Sequence, residues 1–371
     1  MRKIYQAPQI FFKIFLNITF FFINSRAGHI LRLCGIAKRR LTSQKKNRIL
    51  SPVPRGAVIT THKEEMLTLG EKIRGVFAPV PTPFKDDGAL DGNGWEKNIA
   101  LWSASPLDGI VIAGSNGEIP FLSLEEREFL TRTAKEGSAG RLHIMAGAHF
   151  PSTDETIKAA GRLAATGADS ILLLPPHYYK GKDEALVKYF TDVADKSPVP
   201  LFLYNMPANT GVDINIEVIC AAARHPNIRG IKDTSGDMTK LGYTVLRTPD
   251  GFSTFGGTGN WFLAALSMGA CGGTMAVSIL FPRSCQMLYE AFNDGRIAEA
   301  AALQKRLLPV SDAITRRFGI PGLKRALEAY GMTGGSCRRP LLPISEADAG
   351  ELLKVIRDSG LDEYETWRNN R

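Results

Sequence analysis

The chain has 371 residues, 44% of them apolar and 22% charged, a balance ordinary for a soluble globular enzyme and long enough for one barrel-sized domain with additions. Its formal net charge of +9 comes from the N-terminus. Residues 1–63 hold 13 Lys and Arg and no Asp or Glu, leaving 33 basic against 37 acidic residues after them. A nucleic-acid footprint belongs on the folded body, and this body is slightly acidic, so nucleic-acid binding is excluded as the main function.

The leader comes first. Residues 10–23, IFFKIFLNITFFFI, form an apolar run interrupted by Lys13 and Asn17. It falls short of the roughly 20 residues that a spanning helix needs, so stable membrane insertion is not expected. Arg2 and Lys3 precede it as in a secretory signal, but no small-x-small cleavage site follows. The stretch 26–55 is basic and free of acids, as mitochondrial transit peptides are. A targeting segment and a leader without function both fit residues 1–70, which are expected to be disordered outside their targeting role.

From Lys72 onward short apolar runs alternate with amphipathic stretches. The runs are GVFAPV (75–80), GIVIAG (109–114), HIMAG (143–147), SILLLP (170–175), PLFLYN (200–205), RGIKD (229–233), FSTFGG (252–257) and CGGTMA (271–276). Each is too short for a helix and is bounded by Gly, Pro or Asn, which predicts buried parallel strands. Between them, Ser123 and Glu126 form a capping box before EREFLTRTAKE. Further helices are predicted over Asp154 to Ala165, Asp183 to Lys196, Asn215 to Arg224 and Asn260 to Met268. Eight strands at intervals of about 20–34 residues predict an α/β fold, a TIM (β/α)8 barrel. The alternative, an open doubly wound sheet, would usually carry a Gly-rich phosphate fingerprint after its first strand. PTPFKDDG stands there instead. The barrel is expected over 71–297, with a helical region over 298–371. That region reads as three helices, IAEAAALQKRLLPVSDAITRRF, PGLKRALEAYG and SEADAGELLKVIRDSG, with Pro321 near the start of the second, where its missing N–H costs little.

Barrel active sites gather at the C-terminal ends of the strands, which singles out Thr82, Ser115, Asn116, Tyr204, Asn205 and Lys232. Lys232, in IRGIKDTSG, lies between an apolar run and a loop. Burial there disfavours an ammonium and favours an amine nucleophile; from position alone, a strand-end lysine that merely pairs with Asp233 is the commoner case. Tyr204 lies 28 residues earlier, one βα unit away, so neighbouring strands would set phenol and amine side by side, ready for proton transfer. A tyrosine merely packed at a strand end is the other reading. In GSNGE (114–118) the N–H groups of Ser115 and Asn116 could cradle a carboxylate, although such a sequence is more often only a turn. GGTGN (256–260) reads as substrate-facing backbone. Five cysteines without a CxxC pair and six scattered histidines predict neither disulfide framework nor metal site.

Taken together, PTPF, GSNGE, YNMPANTG and GIKDTSG, each at its strand end, resemble the dihydrodipicolinate synthase / N-acetylneuraminate lyase family over roughly residues 72–345. GSNGEIPFLSLEER, HYYKGK, HPNIRGIKD and RRFGIPGLK are similar to its mitochondrial 4-hydroxy-2-oxoglutarate aldolase branch. The resemblance implies a class I aldolase or lyase without cofactor or metal, acting on a 2-oxo acid. Lys232 would form a Schiff base, Tyr204 would be its acid and base, and Ser115 and Asn116 would hold the substrate carboxylate. It also implies a homo-oligomer, commonly a tetramer, with Tyr178 entering a neighbouring subunit's site. Thr82, Thr234 and Gly272 complete the substrate-binding candidates. Asn209 stands where dihydrodipicolinate synthases carry an arginine that grips the second substrate, which favours 4-hydroxy-2-oxoglutarate over lysine-pathway condensation. A sugar-acid or sialic-acid-type aldehyde half, and a catalytically silent pyruvate-binding barrel, are the other readings.

Overall fold

The computed structural model describes residues 70–366. Eight parallel strands close into a barrel in sequence order: β1 (Gly75–Pro79), β2 (Gly109–Ile112), β3 (His143–Gly147), β4 (Ser170–Leu173), β5 (Leu201–Asn205), β6 (Ile228–Asp233), β7 (Ser253–Gly256) and β8 (Gly272–Thr274). The β1–β8 pair, Gly75 opposite Gly272, closes the ring. All eight predicted strands are present: His143–Gly147 has the predicted bounds, Ile228–Asp233 is one residue longer, and the other six are shorter by one to three residues.

The barrel interior is packed. Phe77, Val111, Met145, Leu172, Phe202 and Phe255 point inward and are buried, and the Phe255 ring meets Phe77 at 5.2 Å and Phe202 at 5.8 Å, edge to face. Gly230 makes room for one of these rings: a Cβ there would lie 2.4 Å from Phe202 Cε1, closer than packed carbons approach. Side chains alternate across a strand, so Phe202 and Gly230 form a layer directly beneath the next inward pair, Tyr204 and Lys232.

Helices cover the outside. The capping box at Ser123 is formed, with its Oγ accepting from Glu126 N and Glu126 returning to Ser123 N at 2.9 Å. Asp183–Lys196 forms as predicted. The helix at 154–165 starts one residue earlier, at Thr153, capped by Ser152. Three helices of ten or more residues were not anticipated: Gly92–Ala104, Met238–Arg247 and Pro282–Asn293.

From Ile297 the chain forms the helices Ile297–Asp312, Gly319–Ala329 and Glu346–Ser359, with a π-helical turn over Ala313–Arg317 and a non-helical segment over 330–345. One apolar cluster joins Leu303, Leu327 and Leu352 of these helices to Val76, Trp95 and Trp102 of the barrel. Among the described residues, no helix is long and apolar enough to cross a membrane. The targeting expectation falls on residues 1–69, outside the described residues.

Candidate active site

Tyr204 and Lys232 face each other across the β5–β6 ladder. Both are 3% exposed, and Lys232 Nζ lies 4.1 Å from the centre of the Tyr204 ring. Parallel pairing sets them side by side at the end of their strands, and the Phe202 layer keeps water from beneath. Burial alone would push the Tyr204 phenol up. The Lys232 charge beside it, aided by hydrogen bonding from Ser115, outweighs that burial and holds the phenol below the ordinary tyrosine value. The predicted alternative, a lysine paired with Asp233, is not what forms. The Asp233 carboxylate instead accepts from Ser235 N at 2.7 Å and Asn205 Nδ2 at 3.3 Å, on the opposite side of the strands.

The turn after β2 stands above this pair. Ser115 Oγ lies 3.3 Å from the Tyr204 hydroxyl. The Asn116 side chain donates to Pro79 O at 3.0 Å, so that N–H is engaged with backbone. The turn is held from both ends: Glu118 N and Ile119 N donate back to Ser115 O and Gly114 O, and Glu118 itself adopts φ 58°. Among the described residues, the amide N–H groups of Ser115 and Asn116 have no intramolecular acceptor, which leaves two adjacent donors for an anion.

A cavity of about 1270 Å³ opens over these groups, lined by Ser115, Asn116, Tyr204, Asn209, Lys232 and Thr234 among others. It thus gathers six of the nine predicted site residues. Thr82 is not among its lining. It is 1% exposed and donates to Gly117 O at 2.9 Å, so it braces the turn from behind. Gly272 is also displaced from the cavity. It begins β8 at the opposite end of the barrel, where a Cβ would lie 2.2 Å from Gly75 O, so this residue permits strand closure and contacts no substrate space. Tyr178 is 83% exposed on the loop after β4, its ring against Tyr179; it does not line the cavity of its own chain.

Sequence reasoning missed one wall. Leu308, Asp312, Thr315, Arg316 and Ile320, from the appended helices, line the cavity. Those helices also fix the GGTGN loop: Gln304 Nε2 donates to Gly259 O at 2.7 Å, its Oε1 accepts from Leu263 N at 2.9 Å, and Asn260 Nδ2 donates to Asp312. No sequence signal marks this wall, because its residues read as one amphipathic helix. Among the described residues, no group of three or more His, Cys, Asp or Glu is placed to hold a metal ion.

Residues 72–359 match the model of the dihydrodipicolinate synthetase family. The chain is 36% identical over 284 residues to a 4-hydroxy-tetrahydrodipicolinate synthase of Exiguobacterium sibiricum, covering 76% of this chain and 97% of the relative. It is 34% identical over 294 residues to a probable mitochondrial 4-hydroxy-2-oxoglutarate aldolase of Emericella nidulans, covering 77% and 95%. Among solved structures, a prophage protein of the dihydrodipicolinic acid synthase family from E. coli K12, in complex with pyruvate, superposes with a TM-score of 0.73 at 29% identity, covering 78% and 99%.

Proposed function

The chain belongs to the dihydrodipicolinate synthetase family of enzymes, and from that premise we propose that it is a class I aldolase that cleaves 4-hydroxy-2-oxoglutarate, or a similar 2-oxo acid, to pyruvate and an aldehyde. The observation that carries this reading is the buried Lys232–Tyr204 pair under an open cavity. Lys232 gives up its proton to water and its amine adds to the C2 carbonyl; Tyr204 protonates the carbinolamine hydroxyl, which leaves as water and gives an iminium beside a Tyr204 phenolate. Tyr204 takes the C4 hydroxyl proton, the C3–C4 bond breaks, and its electrons pass into the iminium to give an enamine as the aldehyde leaves. Protonation at C3 and hydrolysis release pyruvate and restore the amine. The free Ser115 and Asn116 amides hold the C1 carboxylate, which aligns the keto carbon for attack. Ser115 Oγ, hydrogen-bonded to Tyr204, passes protons onward, and Tyr178 acts from a neighbouring subunit of a homotetramer.

Condensation in the manner of 4-hydroxy-tetrahydrodipicolinate synthase is the second reading, favoured by the Exiguobacterium relative. The neutral Asn209 in the cavity lining weighs against it, because an amide cannot replace a bidentate guanidinium on an acidic aldehyde. We place the enzyme in the mitochondrion, on its acid-free basic leader and the name of the Emericella relative; fusing residues 1–70 to a fluorescent protein tests that placement.

Borohydride reduction in the presence of pyruvate tests the chemistry. The expected result is a covalent adduct on Lys232 found by mass spectrometry. Pyruvate binding without an adduct would establish a silent barrel instead. A panel of aldehydes incubated with pyruvate tests the substrate, and efficient turnover of aspartate semialdehyde would overturn the preference for 4-hydroxy-2-oxoglutarate.

A further inference from the structure

We propose that Arg316 forms a distal subsite that selects 2-oxo acids bearing a second carboxylate. This inference rests on the reading that a 2-oxo acid is held at Lys232, and it names the chemical class at the other end of that substrate.

The cavity lining contains three charged side chains: Lys232, Asp312 and Arg316. Lys232 is committed to the keto carbon and Asp312 repels an anion, so Arg316 is the one cation of the lining left for a second carboxylate. Its neighbours in the sequence are used elsewhere. Arg317 pairs with Glu351 and lies over the Phe318 ring, and Arg306 holds Gly360 O and Glu363. Among the described residues, the one ion pair of Arg316 is with Asp312 at 3.6 Å, and its side chain is 78% exposed. That distance is long for a charge-assisted hydrogen bond, so the guanidinium fork is available for a bidentate partner. Asp312 is itself steadied by Asn260. Arg316 therefore rests against a fixed carboxylate that a substrate carboxylate can replace.

The backbone supplies an independent observation. Arg316 belongs to the π-helical turn Ala313–Arg317, in which Phe318 N donates to Ala313 O at 2.9 Å. The extra residue in that turn resets the helical phase, and Ile314, Thr315 and Arg316 in succession line the cavity. Such π-turns are a local cost that recurs at functional sites. A substrate fixed at Lys232 by its keto carbon and at Ser115 and Asn116 by its first carboxylate turns its far end toward the rest of the cavity, whose lining includes this wall.

Binding, measured by calorimetry on the full chain, tests the proposal apart from turnover. The probes are 2-oxoglutarate, with two carboxylates, and 2-oxopentanoate, the same chain with one. Replacing Arg316→Gln should weaken 2-oxoglutarate roughly 10–100-fold, the range for losing a charged hydrogen-bond partner, and 2-oxopentanoate by less than about threefold. Arg316→Lys should fall between, retaining charge without the fork. Equal weakening of both ligands, no effect on either, or a native protein indifferent to the second carboxylate would each overturn the subsite. Failure of the aldolase reading appears separately, as the lack of a borohydride adduct on Lys232, while the ligand preference still reports on Arg316.

Discussion

Removing the Lys232 amine should separate chemistry from folding. Lys232→Ala is expected to abolish turnover and the borohydride adduct, with an unchanged circular dichroism spectrum, because the barrel is held by the aromatic layer below and not by this side chain. Tyr204→Phe should lower kcat by roughly two to four orders of magnitude, the usual loss when an acid–base group is removed. The pair also predicts a titration. Burial raises the Tyr204 phenol, and the Lys232 charge together with hydrogen bonding lowers it, the lowering influences prevailing. In Lys232→Met burial is opposed only by hydrogen bonding such as that from Ser115, so the phenol should titrate higher than in the parent. Phenolate absorbance against pH reads this directly, with Tyr204→Phe identifying the band; a phenol that stays low in Lys232→Met would refute the electrostatic account. This pair was legible in the sequence because one βα unit separates the two residues and parallel register does the rest. Thr82 and Gly272 were not, since a strand-end position does not reveal whether a side chain braces the turn or, as with Gly272, whether the residue lies at the other end of its strand.

The strands were legible as elements because fully buried parallel strands need continuous apolar runs, and Gly, Pro and Asn marked their ends. Helices with a clear cap and a clean apolar stripe, such as Leu124–Gly137, were legible too. Gly92–Ala104 was not, having two glycines in its first turn and burying Asn98 beside Trp95 and Trp102. Pro282–Asn293 was hidden because the single helical turn Val277–Leu280 just before it is apolar except for Ser278. Its N-terminal cap is invisible locally as well. Glu365, from the end of the described chain and 3% exposed, accepts from Arg283 N at 3.2 Å, Ser284 N at 2.9 Å and Ser284 Oγ at 2.7 Å. Those are the donors that a helix leaves orphaned at its start. Glu365→Ala should therefore destabilise the protein by about 2 kcal/mol, the scale for a lost charged acceptor at a helix start, seen as a lower urea midpoint at unchanged slope. A midpoint equal to the parent's would mean that water satisfies those donors.

At the scale of the whole molecule, the appended helices and the catalytic turn are joined by one buried ion pair. Glu118, which ends the GSNGE turn, meets Lys324 of the helix Gly319–Ala329 at 2.6 Å, with side chains 0% and 2% exposed. Glu118 also accepts from Arg338 N at 2.9 Å, and Lys324 donates to Ser336 O at 2.7 Å and lies over the Phe84 ring. Both charges therefore lean on the segment that follows that helix as well as on each other. Removing one partner strands a charge in a dry interior, which costs about 3–5 kcal/mol, whereas removing both takes away the desolvation penalty along with the attraction. Glu118→Gln and Lys324→Met should each destabilise on that scale, and the double variant should lose at least about 2 kcal/mol less than their sum. Guanidinium unfolding of the four proteins completes the cycle. The single variants should also need more pyruvate for half-maximal borohydride trapping, because the turn carrying the Ser115 and Asn116 amides loses its anchor while Lys232 and Tyr204 keep theirs. Strict additivity of the stabilities, with unchanged pyruvate dependence, would show that the pair only fills space between helix and barrel and leaves the turn to its own hydrogen bonds.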